Sequence, residues 1–534
     1  VSLSNHEWKQ LDHSISNLYT YGFGYGLIML ALSGCGLDGG LLMTVGPDYH
    51  SPEPPTAKQW YANQPGTDEL PLAHQGDINN LSHWWERFGD PALNRLLAAA
   101  QQESATIAKA KAQIVAARGS LIASESVFLP SLDASLSSTR SSAAFGNSPT
   151  RLDQHQVSVQ SSWEVDLFGG LARQRQASVS QLESRTASWH DARVAVAAEL
   201  GNAYLAYRYC EAKALLNKED AESRKVSAEL TAIAGSAGFR SQADVALANA
   251  SAADGNNIML KQQAQCERAV KALVALTGFT EPQIRTLLGD SPERKASVPK
   301  PPPFQVKSVP ADVIRQRPDI AATERDMAEA SAKIGVEVAN RFPKLSLSGN
   351  ITPVLQNING AGLALAETWS YGPTLSLPLF DAGKRAANVD TAKAKYESSV
   401  TQYRATVRTA VKEVEEALVR LTSLEQRLPL AQTAAEDYQR HFLATQKLYE
   451  VGLGNLIDTE TSRRNAVAAE LAIKELEQEK VSAWIALYRA VGGSWEERQN
   501  QQAASIGEGV QVKQQTQPII RVSQPSKQFS GKPS

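Results

Sequence analysis

The chain has 534 residues, a formal charge of -2 at pH 7, 42% hydrophobic residues and only 7% aromatic ones. So small a charge excludes a broad nucleic-acid surface, which needs an excess of cations to neutralise phosphates. Few aromatics and much alanine suit long helices packed through small side chains. Three cysteines without a CxxC and scattered histidines give no ligand spacing for a metal. There is no GxSxG, HExxH or GxxxxGK[ST], since Gly383-Lys384 lacks the earlier glycine, so neither an enzyme nor a cofactor protein is expected.

Gly22 to Leu32 is apolar but too short to span a bilayer, and it ends in Leu32-Ser33-Gly34-Cys35. That tetrapeptide has the form of a bacterial lipobox, in which the Cys35 thiol takes a covalent lipid and residues 1–34 are removed as a signal peptide. A buried cysteine is the alternative, and Lys9 stands beside Glu7 and Asp12 where a basic cluster is usual. Gly36 rather than Asp follows the cysteine, which in such sorting permits transfer to the outer membrane. Residues 35–90 read as an arm, because Pro47, Pro52, Pro54 and Pro55 exclude a helix. Trp84-Trp85 and Phe88 form an aromatic plug, and Asp90-Pro91 opens a helix that runs to about Phe128, before Pro130.

Two stretches then alternate as strands do: Leu132, Ala134 and Leu136 lie between serines, and Val157 and Val159 lie between polar residues. Each is about 10 residues long, enough for a tilted strand to cross a bilayer. A small, polar second face suits a water-filled lumen; a surface hairpin of a soluble β-domain is the alternative. From Leu171 to Ala234 there is no proline, and Val196, Leu200, Ala203, Tyr207, Cys210 and Ala214 make a heptad seam on a helix of roughly 100 Å. Gly238 breaks the run, and a return helix spans about Gln242 to Leu276. Cys210 and Cys266 are equally distant from Gly238 and so face each other, which after export predicts a disulfide, with two buried thiols as the alternative.

A Pro-rich linker (299–315) follows, and the chain begins again. Arg317-Pro318-Asp319-Ile320 opens a helix ending at Phe342-Pro343, Leu345 and Leu347 alternate, a second strand runs from Tyr371 to Phe380, and Phe380-Asp-Ala-Gly-Lys384 opens another long helix. Pro429 predicts a kink or short break there. Gly452 turns the chain, the return helix ends at Val491-Gly-Gly-Ser-Trp495, and 496–534 reads as a disordered tail. Pro130 and Pro343, Phe168 and Phe380, and Gly238 and Gly452 are spaced almost equally, so 91–298 and 316–495 are two copies of one unit.

Each copy supplies two strands, and four strands cannot close a barrel, although unpaired edges are not tolerated in lipid. Three chains would supply about 12, an even number within the range of known barrels. With its lipobox, Gly46-Pro-Asp-Tyr49, Trp84-Trp-Glu86, Arg317-Pro-Asp-Ile320, Phe380-Asp-Ala-Gly-Lys384 and Val491-Gly-Gly-Ser-Trp495, the chain resembles the TolC-like outer membrane factors, in their lipoprotein (NodT/OprM-like) branch. The resemblance implies an α+β membrane protein: a homotrimeric 12-stranded outer-membrane β-barrel continuous with a periplasmic α-helical barrel. It would be the exit duct of a tripartite efflux pump, docking on a periplasmic adaptor protein and an inner-membrane RND-type pump. It also implies a gate at the helix tips, with Tyr449 as gate tyrosine, Asp244 as its acidic partner and Asp458 as constricting acid. Each of these acids could equally be an ordinary turn residue. Gly454 and Thr461 stand where the archetype has Arg and Asp, which brings Arg240 and Glu460 forward as accessories. The alternatives are the exit duct of a type I secretion system and a structural periplasmic coiled-coil lipoprotein.

Overall fold

The computed structural model describes residues 39–57, 59–62, 81, 83–145, 148–289, 300–301, 303, 310–359 and 361–493. Cys35 with the expected leader, most of the Pro-rich linker and the expected tail (496–534) lie outside the described residues. No helix among the described residues is long and apolar enough to cross a membrane.

The first repeat contains α1 (Pro91–Glu103), α2 (Ala105–Ser126), β1 (Ser131–Phe145), β2 (Ser148–Val165), α3 (Gly170–Ser236) and α4 (Gln242–Thr277), followed by the short α5 (Glu281–Gly289). The second contains α6 (Pro310–Arg315), α7 (Pro318–Ala339), β3 (Lys344–Ile358), β4 (Ala364–Ser376), α8 (Lys384–Glu450) and α9 (Leu456–Ala490). Helices α3 and α8 both have 67 residues, which is about 100 Å each. Both start after a left-handed glycine, Gly169 (φ 75°) and Gly383 (φ 89°).

Local chemistry sets the ends. The Asp90 carboxylate accepts the Ala92 N–H at 3.0 Å and Pro91 fills the first helical position, as the sequence predicts. The run expected to reach Phe128 is instead two helices, because Ser104 takes an extended backbone and caps a new helix through Ile107 N–H. The break expected at Pro429 is absent: α8 continues through it. A proline removes one backbone donor, and the remaining bonds of so long a helix carry the chain past it.

The core lies where the helices meet below the sheet. Trp84 is fully buried and stacks on Tyr488 at 4.8 Å, with Trp85 and Phe88 edge-on to it. Gly201 lets α3 approach this plug, since a Cβ there would stand 2.5 Å from the Trp85 ring. Arg317 is the second anchor: buried, it forks onto both Asp319 oxygens (3.0 and 2.7 Å) and reaches Glu413 (2.7 Å) and the Ala490 carbonyl (2.9 Å). It thereby fastens the start of α7 to α8 and to the end of α9. Gly492 follows that end because a Cβ there would press on the Gln316 carbonyl at 2.8 Å.

The strands form one antiparallel sheet in chain order. Register and alternation give it two unlike faces. One carries Leu132, Leu136, Val159, Leu347, Ile351 and Trp369; the other carries Ser135, Gln156, Ser158, Asn350, Thr352 and Ser370. On β3 the apolar face runs from Leu345 to Leu355, which at a tilt of ~40° is about 25 Å tall, the height of a bilayer core. The strands are longer than the expected 10 residues, at 15, 18, 15 and 13. Their outer parts pair through polar side chains such as Arg140 with Asp153, which no apolar alternation marks in the sequence. Strand β4 ends at Ser376, short of the expected Phe380.

Trp84→Ala should remove about 3–5 kcal/mol by leaving a cavity that the helix backbones cannot close. An earlier urea midpoint of the helical circular-dichroism signal is the expected result, with Phe239→Ala at an exposed turn leaving the midpoint unchanged.

Candidate functional site

Two hairpin tips and one arm carry the functional features. At the first tip α3 ends at Ser236, Gly238 takes φ 80°, and Ser241 caps α4. The cap is reciprocal: the Ser241 hydroxyl accepts the Asp244 N–H at 3.1 Å, and the Asp244 carboxylate accepts the Ser241 N–H at 3.3 Å. The second tip has Gly452 (φ 79°) and Asn455, whose side-chain oxygen accepts the Asp458 N–H at 2.8 Å, but here the Asp458 carboxylate accepts from the Asn455 side-chain amide and not from the cap's backbone N–H. Asp244 and Asp458 are thus the third residues of their helices, where a negative charge also suits the helix dipole. Phe239 and Leu453 take equivalent places and point into solvent.

Tyr449 lies on the last turn of α8, about one-third exposed, and its hydroxyl makes no hydrogen bond among the described residues. No hydrogen bond joins it to Asp244 within one chain. Arg240 makes no ion pair among the described residues, whereas Glu460 accepts from Arg463 Nε and Nη2 at 3.1 and 2.9 Å. Arg463 in turn lies 2.8 Å from Asp220 on α3, a bridge between the two hairpins that the sequence reading did not find. Gly454 has a steric reason to lack a side chain: a Cβ would lie 2.9 Å from the Tyr449 nitrogen. The Thr461 hydroxyl donates to the Ile457 carbonyl at 2.8 Å. Further along the first hairpin a disulfide joins Cys210 to Cys266, with Cα atoms 5.3 Å apart, and Gln262 donates to the Cys210 carbonyl beside it.

The arm meets the opposite end of the helices. Leu41, Leu42 and Val45 donate backbone bonds to the carbonyls of Asp166, Leu167 and Phe168, where β2 passes into α3. Buried Arg173 then binds the Val45 carbonyl (3.1 Å), the Gly46 carbonyl (3.3 Å) and the Asp48 carboxylate (2.7 Å). A Cβ on Gly46 would stand 2.4 Å from Gly335, so only glycine lets the arm lie this close to α7. Tyr49 donates to Glu324, and Glu415 accepts the N–H groups of Tyr61 and Ala62, both at 2.8 Å. The Gly-Pro-Asp-Tyr motif marked the arm in the sequence, but Arg173 and Glu415 lie among many charged helix residues and carried no signal.

A family model described as outer membrane efflux protein matches residues 96–279 and 309–493, one segment in each repeat. The solvent efflux pump outer membrane protein SrpC of Pseudomonas putida is 26% identical over 489 residues, covering 88% of this chain and 98% of that protein. A nodulation protein T of Rhizobium leguminosarum bv. trifolii is 29% identical over 479 residues, with 87% and 96% covered. Among solved structures, the outer-membrane channel OprN superposes with a TM-score of 0.72 at 27% identity, covering 84% of this chain and 99% of that one. The Campylobacter jejuni CmeC outer membrane channel shares the fold, with a TM-score of 0.74 at 21% identity over 87% and 98%.

Arg173→Met should free the arm. Hydrogen bonds to a charged group contribute ~1.5–3 kcal/mol, so chymotryptic cleavage after Tyr49 should rise by roughly tenfold or more. The Arg173 guanidinium also holds the Asp48 carboxyl below its ordinary value, through its hydrogen bond and then its charge. A carboxyl lowered on folding contributes above its unfolded value and is lost as pH falls through the folded one. Release of the arm in the unsubstituted protein, read as amide exchange of residues 41–48 corrected for the intrinsic pH dependence, should therefore begin only below about pH 4.

Proposed function

This chain belongs to the outer membrane efflux protein family, and from that premise we propose that three copies close a 12-stranded barrel (four strands from each) above a helical duct that drains a tripartite efflux pump. It is an outer-membrane channel whose helices extend into the periplasm. One observation carries the trimeric reading: β1 and β4 are both unpaired edges of a sheet with one bilayer-high apolar face and one polar face. Side chains left bare along those edges support it. Phe168 stacks on Phe342 at 4.7 Å between the repeats, yet their counterparts Phe380 and Leu129 are 91% and 70% exposed. A neighbouring copy would bring those two together. The hydroxyls and amides of the polar face would line the lumen, wetting it without choosing a cargo.

Energy and selection then belong to the partners, an inner-membrane RND-type pump reached through a periplasmic adaptor protein. The relatives named for solvents and toluene put small toxic molecules first as cargo, and no observation favours protein secretion or a purely structural spacer. The arm supports lipidation of Cys35, because residues 41–45 are bound at the periplasmic edge of the sheet and leave the preceding cysteine only a few residues from the membrane surface. At the mouth, Tyr449 of one copy would meet Asp244 of the next, and three Asp458 carboxylates would crowd one axis.

The seam has a definite register. Gln160 of β2 pairs with Asn350 of β3. Their repeat mates are Thr374 and Ser137, since Asp133 pairs with Gln160 as Ser346 pairs with Thr374. Thr374→Cys with Ser137→Cys should give a covalent trimer on a non-reducing gel, and Thr374→Cys with Ser135→Cys or Thr139→Cys should bridge poorly. A chain that stays monomeric would refute the assembly. At the tips, Tyr449→Phe with Asp244→Ala should raise single-channel conductance several-fold in planar bilayers. Ser241→Ala, which weakens the same helix cap but keeps the acid, should leave conductance unchanged; equal effects would mean that Asp244 only caps a helix.

A further inference from the structure

Along the polar face of the sheet the chemistry changes once. From Glu164 to Gln154 on β2, from Lys344 to Thr352 on β3 and from Ser376 to Thr368 on β4, that face has no aliphatic side chain. Beyond those points, toward the hairpin ends, it carries Leu152, Val354, Ile358, Ala366 and Ala364. Register brings them together: Leu152 lies opposite Ile358, and Val354 lies opposite Ala366. Gln154, Gln356 and Thr150 are the polar residues in this stretch of the three strands; the two amides stand opposite each other, and Gln154 donates to Gln156 at 3.0 Å.

The change coincides with a break in the ladder. Pro353 has no N–H to give, and the β2–β3 register is interrupted between the pair Gln156 with Val354 and the pair Val159 with Ile351. The Ser158 and Thr352 hydroxyls, 2.8 Å apart, span the gap. A proline in a central strand is a place where a sheet can bend. Beyond the row of Leu355 and Leu365 the outer face of β2 and β3 turns polar at Asp153 and Asn357, so these strand ends stand clear of lipid. Neither a continuous ladder nor the bilayer holds them upright.

A water-filled lumen has no use for an aliphatic wall. Val354 is 9% exposed in the single chain, but Ile358 is 46% exposed. Twelve strands ~4.8 Å apart at a tilt of ~40° close a cylinder of radius about 12 Å, in which three Ile358 Cα atoms would stand roughly 21 Å from one another. An inward lean of about 30° over the ~17 Å from Pro353 to Ile358 brings them within about 7 Å. We infer that the hairpin ends of three copies lean inward above Pro353 and bury these faces against one another, which closes the outer end of the duct with a dry seal. This rests on the trimeric reading and adds a closure at the end remote from the helix tips. Hydrated solutes outside meet it as a barrier, because an apolar constriction excludes water and ions.

Single cysteines in the full-length chain test this. Ile358→Cys, oxidised in detergent, is expected to run on a non-reducing gel as a covalent dimer with a remainder of monomer, since only two of three thiols meeting on an axis can pair. Thr352→Cys, below the bend, and Leu355→Cys, on the outer face where only separate trimers could meet, are expected to stay unbridged. An unbridged 358, when the 374 and 137 cysteines do form a covalent trimer, overturns the inference, and so does a 358 that bridges no faster than 352 or 355. If 374 and 137 do not bridge either and the chain stays monomeric, the trimeric reading fails and the inference with it. A second measurement needs no disulfide. In intact cells a bulky charged maleimide should label Ser370→Cys, on the inner face below the bend, at least tenfold faster once Val354→Ser and Ile358→Ser are added; equal rates overturn the seal.

Discussion

Inside a hydrocarbon layer a backbone N–H or C=O without a partner costs several kcal/mol, and water is not there to supply one. A sheet with two free edges cannot exist in that medium alone. Every larger feature of this molecule answers to the constraint: four strands in chain order, one apolar and one polar face, and apolar side chains waiting along β1 and β4. Duplication within the chain is what makes the answer economical. The joint that fits repeat to repeat needs only to be made again to fit chain to chain.

Much of this was legible before any coordinates, for physical reasons. Left-handed glycines and prolines are local requirements, so Gly238, Gly452, Asp90-Pro91 and Phe342-Pro343 marked turns and helix ends directly. Cys210 and Cys266 could be set opposite each other because antiparallel helices pair residues equally far from their turn. The lengths of the strands were not legible, because polar pairing such as Arg140 with Asp153 leaves no alternation. Nor was the split at Ser104, a single hydroxyl acting as a cap inside an otherwise continuous run. Of the kink or short break expected at Pro429 the break is absent, since the proline removes one hydrogen bond and the helix around it has 67 residues.

At the tips, the residues brought forward by resemblance have two occupations. Asp244 and Asp458 close the first turns of their helices, which explains an acid at both places without any gate. Glu460 is different: its partner Arg463 draws it into the bridge between hairpins, and its contribution is to stiffness below the mouth. Gly454 allows the chain to fold tightly against Tyr449, at the cost of any side chain that could reach across.

The disulfide has a consequence for the order of events in making the protein. Its two cysteines are 56 residues apart and both belong to the first hairpin. Closure therefore needs neither the second repeat nor another chain, only an oxidising compartment. Once the first repeat is exported it can be stapled while the rest of the polypeptide is still arriving. By the chain-entropy account a loop of that size contributes on the order of 4 kcal/mol, given to a lone hairpin at the stage when it has no neighbours to lean on. The second hairpin, synthesised later, meets a partner whose two helices are already joined.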